Sequence, residues 1–208
     1  MIKLLEKIFI FLAVVPLVGV LVYPPDFRLI GDLGWYLLLA IMALHPLVNI
    51  FPNVVFLKKL MPLRKSAGIL CGSLLFFHVV AFFVSSIGLT LESFLSAMIW
   101  DYKGIYFWGM IGVLIIILLT LTSNLWSVIH LKKWWKRLHY LTYVAFILGA
   151  VHVVLVILYR ENWEWNRYML TTAIPIAVVV FLRILSFVGF KISPKVTLPA
   201  NNGTVPSN

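Results

Sequence analysis

Residues 137–154 read RLHYLTYVAFILGAVHVV, and the fold follows from this stretch. Past Arg137 it is apolar apart from scattered hydroxyls and two histidines, His139 and His152, thirteen positions apart. On a helix rising ~1.5 Å per residue that spacing covers roughly 20 Å of axis, most of a ~30 Å hydrocarbon core. An ionisable side chain at such depth is costly and is a functional-site hypothesis by default. Imidazole is also a common axial ligand of haem iron, so one helix could carry iron at two depths. Steps of ~100° per residue leave the two side chains ~140° apart, so one ligand-bearing face does not suffice. Local unwinding at Gly149 would change that phase.

The surrounding chain has the same character. It is 62% hydrophobic and only 12% charged, with a mean hydropathy of +1.04, whereas a soluble domain is about 25% charged. Six apolar stretches stand out, at 8–23, 33–51, 67–87, 104–121, 138–159 and 168–190. Most meet the ~20-residue length of a spanning helix. The expected fold is all-α: a polytopic, six-transmembrane-helix bundle over residues 1–190, with haem between helices, followed by a disordered cytoplasmic tail at 191–208. Lys3 and Lys7 before IFIFLAVV imitate a signal peptide, but residues 20–25 offer no small-residue cleavage site, so an uncleaved first span is expected. Pro24-Pro25 should end that span. Pro46 should kink the second and free a carbonyl beside His45. The 88–103 connection reads as a short amphipathic piece, with Trp100, Tyr102, Tyr106 and Trp108 placed for an aromatic belt.

A net charge of +10 invites a nucleic-acid reading until it is divided among the connections. The N-terminus, the 52–66 and 122–137 connections and the tail hold +12, and the alternate connections hold −2. The positive-inside rule then puts both termini in the cytoplasm. The basic charge reports topology and contact with anionic membrane lipids, not nucleic acid. Cys71 is alone, and no C-x-x-C-H occurs, so haem would be held without covalent attachment.

His78, in the third stretch, lies thirteen residues beyond Lys65, and His152 lies fifteen beyond Arg137. Both helices start at basic clusters, so the two histidines reach similar depths and could clamp one iron. Small residues Ala67, Gly68, Gly72 and Ser73 leave room for a flat macrocycle, or equally for close helix contact. His139 would need a partner near the cytoplasmic face. His45 is the candidate there, with a hydrogen-bonded interfacial histidine as the plainer alternative. His130 reads as a solvated loop residue. Arg64, Lys65 and Arg137 suit haem propionates, although the positive-inside bias also accounts for them.

The segment LTLTSNLWSVIHLKKWWKRLHYLTYVAFILGAVHVV resembles the ferric-reductase-like transmembrane family, through Leu121-Thr122-Ser123, Trp135, Leu138-His139, Tyr143 and His152. PLRKSAGIL and the FFH ending at His78 are similar to that family's third helix. Within it, the likeness is to the haem-binding membrane subunits of bacterial methionine sulfoxide reductase systems. The resemblance implies haem b, one or two per chain, ligated by His78, His139 and His152. It also implies a bacterial inner membrane, and electrons passed to a periplasmic molybdenum-containing reductase subunit. The larger members carry fused flavin and nicotinamide domains and a fourth ligand where this chain has Arg64-Lys65. An outside donor is therefore expected, either a cytoplasmic flavin reductase or the membrane quinone.

Three functions remain in view. The first is this electron-transfer subunit, part of an oxidoreductase system and not a complete enzyme. The second is a self-contained transmembrane metal or oxygen reductase, which an open iron position would favour. The third is a haem-free proton-coupled transporter, against which no Asp or Glu lies within a span to complete a relay. FMN could sit at the Lys132–Arg137 face, where cations would hold its phosphate.

Overall fold

The computed structural model describes residues 2–22, 26–88, 90–96, 104–160 and 172–192. All elements among them are helices: α1 (Ile2–Val22), α2 (Phe27–Ile50), α3 (Val55–Leu60), α4 (Arg64–Phe82), α5 (Leu91–Leu95), α6 (Ile105–Leu121), α7 (Leu125–Leu131), α8 (Lys133–His139), α9 (Leu141–Arg160) and α10 (Ile174–Phe187). Each apolar stretch coincides with a helix, with shifted ends. α2 begins six residues before its apolar run because Asp26 caps it, accepting from the Arg28 N–H at 2.9 Å. α4 prolongs itself through a π turn at Phe83–Ile87 before Gly88, at φ 85°, ends it. Among the described residues, Phe27–Ile50, Val55–Ser86 and Lys133–Leu158 are long and apolar enough to cross a membrane. The pair α6 and α7, bent by 93°, makes a fourth if taken as one span. α10 is a shorter apolar helix.

α2 and α4 form the middle of the bundle. α2 packs against α4 and α10, α4 also against α1 and α6, and α6 against α9. Their shared core joins Trp35, Leu38 and Met42 of α2 to Cys71 of α4, Ile116 of α6, Phe146 of α9 and Val179 of α10. Trp35 and Phe146 stack with ring centres 5.8 Å apart. Close approach explains the small residues of α4. A side chain at Gly72 would collide with Thr120, and the Ser73 hydroxyl donates to the Ala13 carbonyl. Gly68 faces open space. Gly72 and Ser73 therefore serve helix contact, and none of Ala67, Gly68, Gly72 and Ser73 lines the internal cavity.

Pro46 does what its chemistry demands. Without an N–H it cannot bond the Met42 carbonyl four residues back. Arg183 of α10 fills that place, its Nη2 donating to Met42 O at 3.2 Å. α2 continues to Ile50.

The helix carrying His139 and His152 is broken, but not at Gly149. α8 ends at His139, Tyr140 forms a turn, and α9 runs helically through Gly149. The Lys133–Leu158 span is also the least buried of the three long spans: only 11% of its most apolar stretch is buried, against 39% for α2 and 44% for the α3–α4 span. At the basic end, Lys132 adopts φ 47° where α7 turns into α8, a conformation costing about 1–3 kcal/mol in a non-glycine residue. Exposed Trp126, Ile129 and Trp134 on α7 and α8 lie beside Lys132, Lys133 and Lys136, as in an interfacial belt. Pro24-Pro25, Trp100, Tyr102, residues 161–171 and the tail from 193 fall outside the described residues.

Candidate haem site

His78 from α4 and His152 from α9 meet in one cavity of about 210 Å³. Their ring centres are 6.4 Å apart and their planes 69° from parallel. A metal bound between two imidazole nitrogens at about 2.0–2.1 Å each would put the ring centres roughly 6 Å apart. The observed separation matches what a shared ion needs, and is also within the range of ordinary edge-to-face ring contact.

Each ring is held from behind. His78 Nδ1 lies 2.6 Å from the Phe27 carbonyl and His152 Nδ1 lies 2.7 Å from the Ile105 carbonyl. A carbonyl only accepts, so both Nδ1 atoms carry the proton and both lone pairs sit on Nε2. That is the tautomer a metal-ligating histidine needs, with its other nitrogen fixed by a partner. The two anchors also match in position, each being the first residue of its helix, α2 and α6.

The cavity wall is largely apolar and includes Gly31, Gly109, Gly112 and Gly149. Near the starts of α2 and α6, Phe82, Phe83 and Met110 form a second core with Phe27, Phe94 and Tyr106. The indole Nε1 of Trp35, which also lines the cavity, is buried with no hydrogen-bond partner. No group of three or more His, Cys, Asp or Glu among the described residues could enclose a bare metal ion. Two neighbouring imidazoles, a glycine-bearing apolar slot and a buried indole without a partner among the described residues instead fit an iron whose remaining ligands come from a macrocycle.

The basic end is different. His139 Nδ1 is 3.0 Å from the Trp135 carbonyl, its ring lies 4.0 Å from that indole, and Nε2 is 3.4 Å from Ser123 Oγ. The Trp135 indole donates to the Thr122 carbonyl at 2.9 Å. The residues of the Leu-Thr-Ser, Trp and His pattern thus join the end of α6 to α8. His45 instead meets Asn49, whose amide also donates to Ser186. Among the described residues, His45 and His139 share no hydrogen bond or ring contact. His130 is exposed and stacked on Trp126 at 4.2 Å.

Arg64, Lys65 and Arg137 do not line the cavity. Lys65 is exposed, Arg137 lies over the Trp134 ring at 4.7 Å, and Arg64 is half-buried near Arg183. The cation that does line the cavity is Arg28, with Asp32 beside it. Sequence reading missed Arg28 because a charge next to Asp26 looks like ordinary loop polarity. It also missed Trp35 and the anchoring carbonyls, since a backbone acceptor leaves no residue-type signal.

A family model described as ferric reductase like transmembrane component matches residues 30–150, more than half of the chain. The chain belongs to this family. Relatives include proteins named protein-methionine-sulfoxide reductase heme-binding subunit MsrQ. That of Pasteurella multocida is 31% identical over 60% of this chain and 61% of its own length. That of Agrobacterium fabrum is 33% identical over 55% and 50%, and that of Rhizobium meliloti 31% over 60% and 55%. The chain spans about half to three fifths of these curated relatives. No solved structure matches it.

Proposed function

We propose that this chain is the haem b-holding, six-helix membrane subunit of a methionine sulfoxide reductase system. In this reading it passes electrons from the cytoplasmic side of a bacterial inner membrane to a periplasmic reductase. The observation that carries it is the His78–His152 pair, spaced at 6.4 Å with both Nδ1 atoms anchored. The relatives' printed names support the choice of system.

Bound there, haem would supply a one-electron carrier; the protein's part is holding, orientation and electrostatics. His78 and His152 would both hold the iron, and ligation by two imidazoles favours electron transfer over oxygen chemistry. Arg28 and the Trp35 N–H would meet polar groups on the macrocycle's edge. The aromatic cluster around Phe82 would keep water from the iron. The rim lies where α2 and α6 begin, opposite the basic connections, and therefore toward the periplasm under the positive-inside rule. Donors on the other side, a flavin reductase or a quinone, would find the basic face of α7 and α8. A molybdenum-containing reductase is the acceptor class we propose.

The test is purification with haem and measurement of reduced-minus-oxidised spectra. A b-type spectrum that a flavin reductase with NADPH or a reduced quinone elicits, and that a methionine sulfoxide reductase partner reoxidises, supports the reading. Carbon monoxide binding to the native iron would move it to the self-contained reductase. Fusions at Asn208 that report only from the periplasm would reverse the topology.

A further inference from the structure

Gly31 and Gly109 occupy equivalent places behind the two histidines. Gly31 is four residues after Phe27 and Gly109 four after Ile105, the residues whose carbonyls receive the imidazoles. In an α-helix the Cα–Cβ bond tilts toward the N-terminus, so a side chain at position i+4 covers the carbonyl of residue i. That carbonyl already accepts the helical N–H from i+4 and keeps a second lone pair. Only a residue without Cβ leaves that lone pair open to a group as broad as imidazole. The distances agree. A Cβ on Gly31 would lie 2.6 Å from His78 Nδ1 and 2.8 Å from its Cε1. A Cβ on Gly109 would lie 2.7 Å from His152 Nδ1 and 2.9 Å from its Cγ. Those atoms belong to rings fixed on packed helices, so the clash has no flexible chain end to absorb it.

We infer that Gly31 and Gly109 are matched positioning residues, each opening the first carbonyl of its helix so that the Nδ1–H of a haem-ligating histidine docks there. The inference rests on the haem reading above. Docking fixes the rotation of each ring, and hence the 69° between them. It also loads negative character onto each imidazole through Nδ1, which strengthens Nε2 as a donor to ferric iron. The two glycines therefore influence both ring orientation and reduction potential without touching iron.

The experiment uses the full-length, haem-loaded protein with Gly31→Ala, Gly109→Ala and two controls. Gly34→Ala places an equally close Cβ on α2, 2.7 Å from Leu75 Cδ2, with no histidine involved; Gly68→Ala meets nothing within 4 Å. Native protein should give the strongly anisotropic low-spin ferric EPR signal of non-parallel imidazoles. Either histidine-facing variant should shift that signal or convert it to high spin, and any haem it retains should have a raised potential. Both controls should keep signal and potential. Remote-nitrogen coupling in pulsed EPR of the native protein should report a hydrogen-bonded Nδ1, a reading that needs no variant to fold. Absence of haem from the native protein sinks the haem reading itself. Native bis-histidine haem with unchanged EPR and potential in Gly31→Ala and Gly109→Ala, or with an unbonded Nδ1, overturns the positioning role alone.

Discussion

The two ends of the bundle use the same residue type in opposite ways. At one end, His78 and His152 come from different helices into a shared cavity, and each turns Nδ1 to a carbonyl on a third or fourth helix. At the basic end, His139 and His45 make their Nδ1 contacts one turn away on their own segments, with Trp135 and Asn49, and do not meet. In the sequence reading, the two members of each pair reach a similar depth. What separates a prepared ligand from a locally engaged histidine is where the second nitrogen goes and which ring faces the first.

The comparison breaks most visibly at the ligands. His78→Ala and His152→Ala should each abolish the same haem absorbance, because one iron cannot keep its low-spin state with either ring missing. His139→Ala and His45→Ala should leave that spectrum unchanged. A stoichiometry of two haems per chain that falls to one in His139→Ala or His45→Ala would erase the contrast between the ends.

A mid-sized effect lies between the two regions. Arg183→Leu strands the Met42 carbonyl that Pro46 leaves open, at a cost of about 1–3 kcal/mol for a buried unpaired acceptor. Pro46→Ala in the same background restores the N–H and should recover most of the lost melting temperature. No recovery would mean Arg183 acts elsewhere, for instance through its stacking on Tyr143 at 4.8 Å.

His139→Ala should also cost stability, since its ring stacks on Trp135, with aromatic pairs contributing ~0.5–1.5 kcal/mol. The smallest change expected is at Gly68, in a helix interior facing open space. Gly68→Ala should stabilise by roughly 0.5–1 kcal/mol; a loss of stability would place an unrecognised contact on that face of α4. Detergent-phase thermal melts read both.

Much of this was legible in the sequence because hydrocarbon leaves few alternatives. Apolar runs marked the helices, and basic caps set His78 and His152 at a common depth. The Met42 carbonyl left open by Pro46 was foreseeable from proline chemistry, though its partner was not: Arg183 lies 141 positions from Met42, and a side-chain-to-backbone bond has no residue signature. Gly31 and Gly109 escaped notice for the same reason. Glycine in an apolar helix reads as close packing, and of the small residues of α4 that drew attention Gly72 does pack closely, against Thr120. The phase argument for His139 and His152 agrees with the separate surroundings of the two rings, His152 in the cavity and His139 against Trp135 and Ser123.

The most direct test is paired optical and EPR spectroscopy on haem-loaded native protein, His78→Ala and His152→Ala. The account predicts one low-spin ferric signal in the native protein, lost equally in both variants while helical content is kept. A variant that retains the native low-spin signal would show that His78 and His152 do not share an iron.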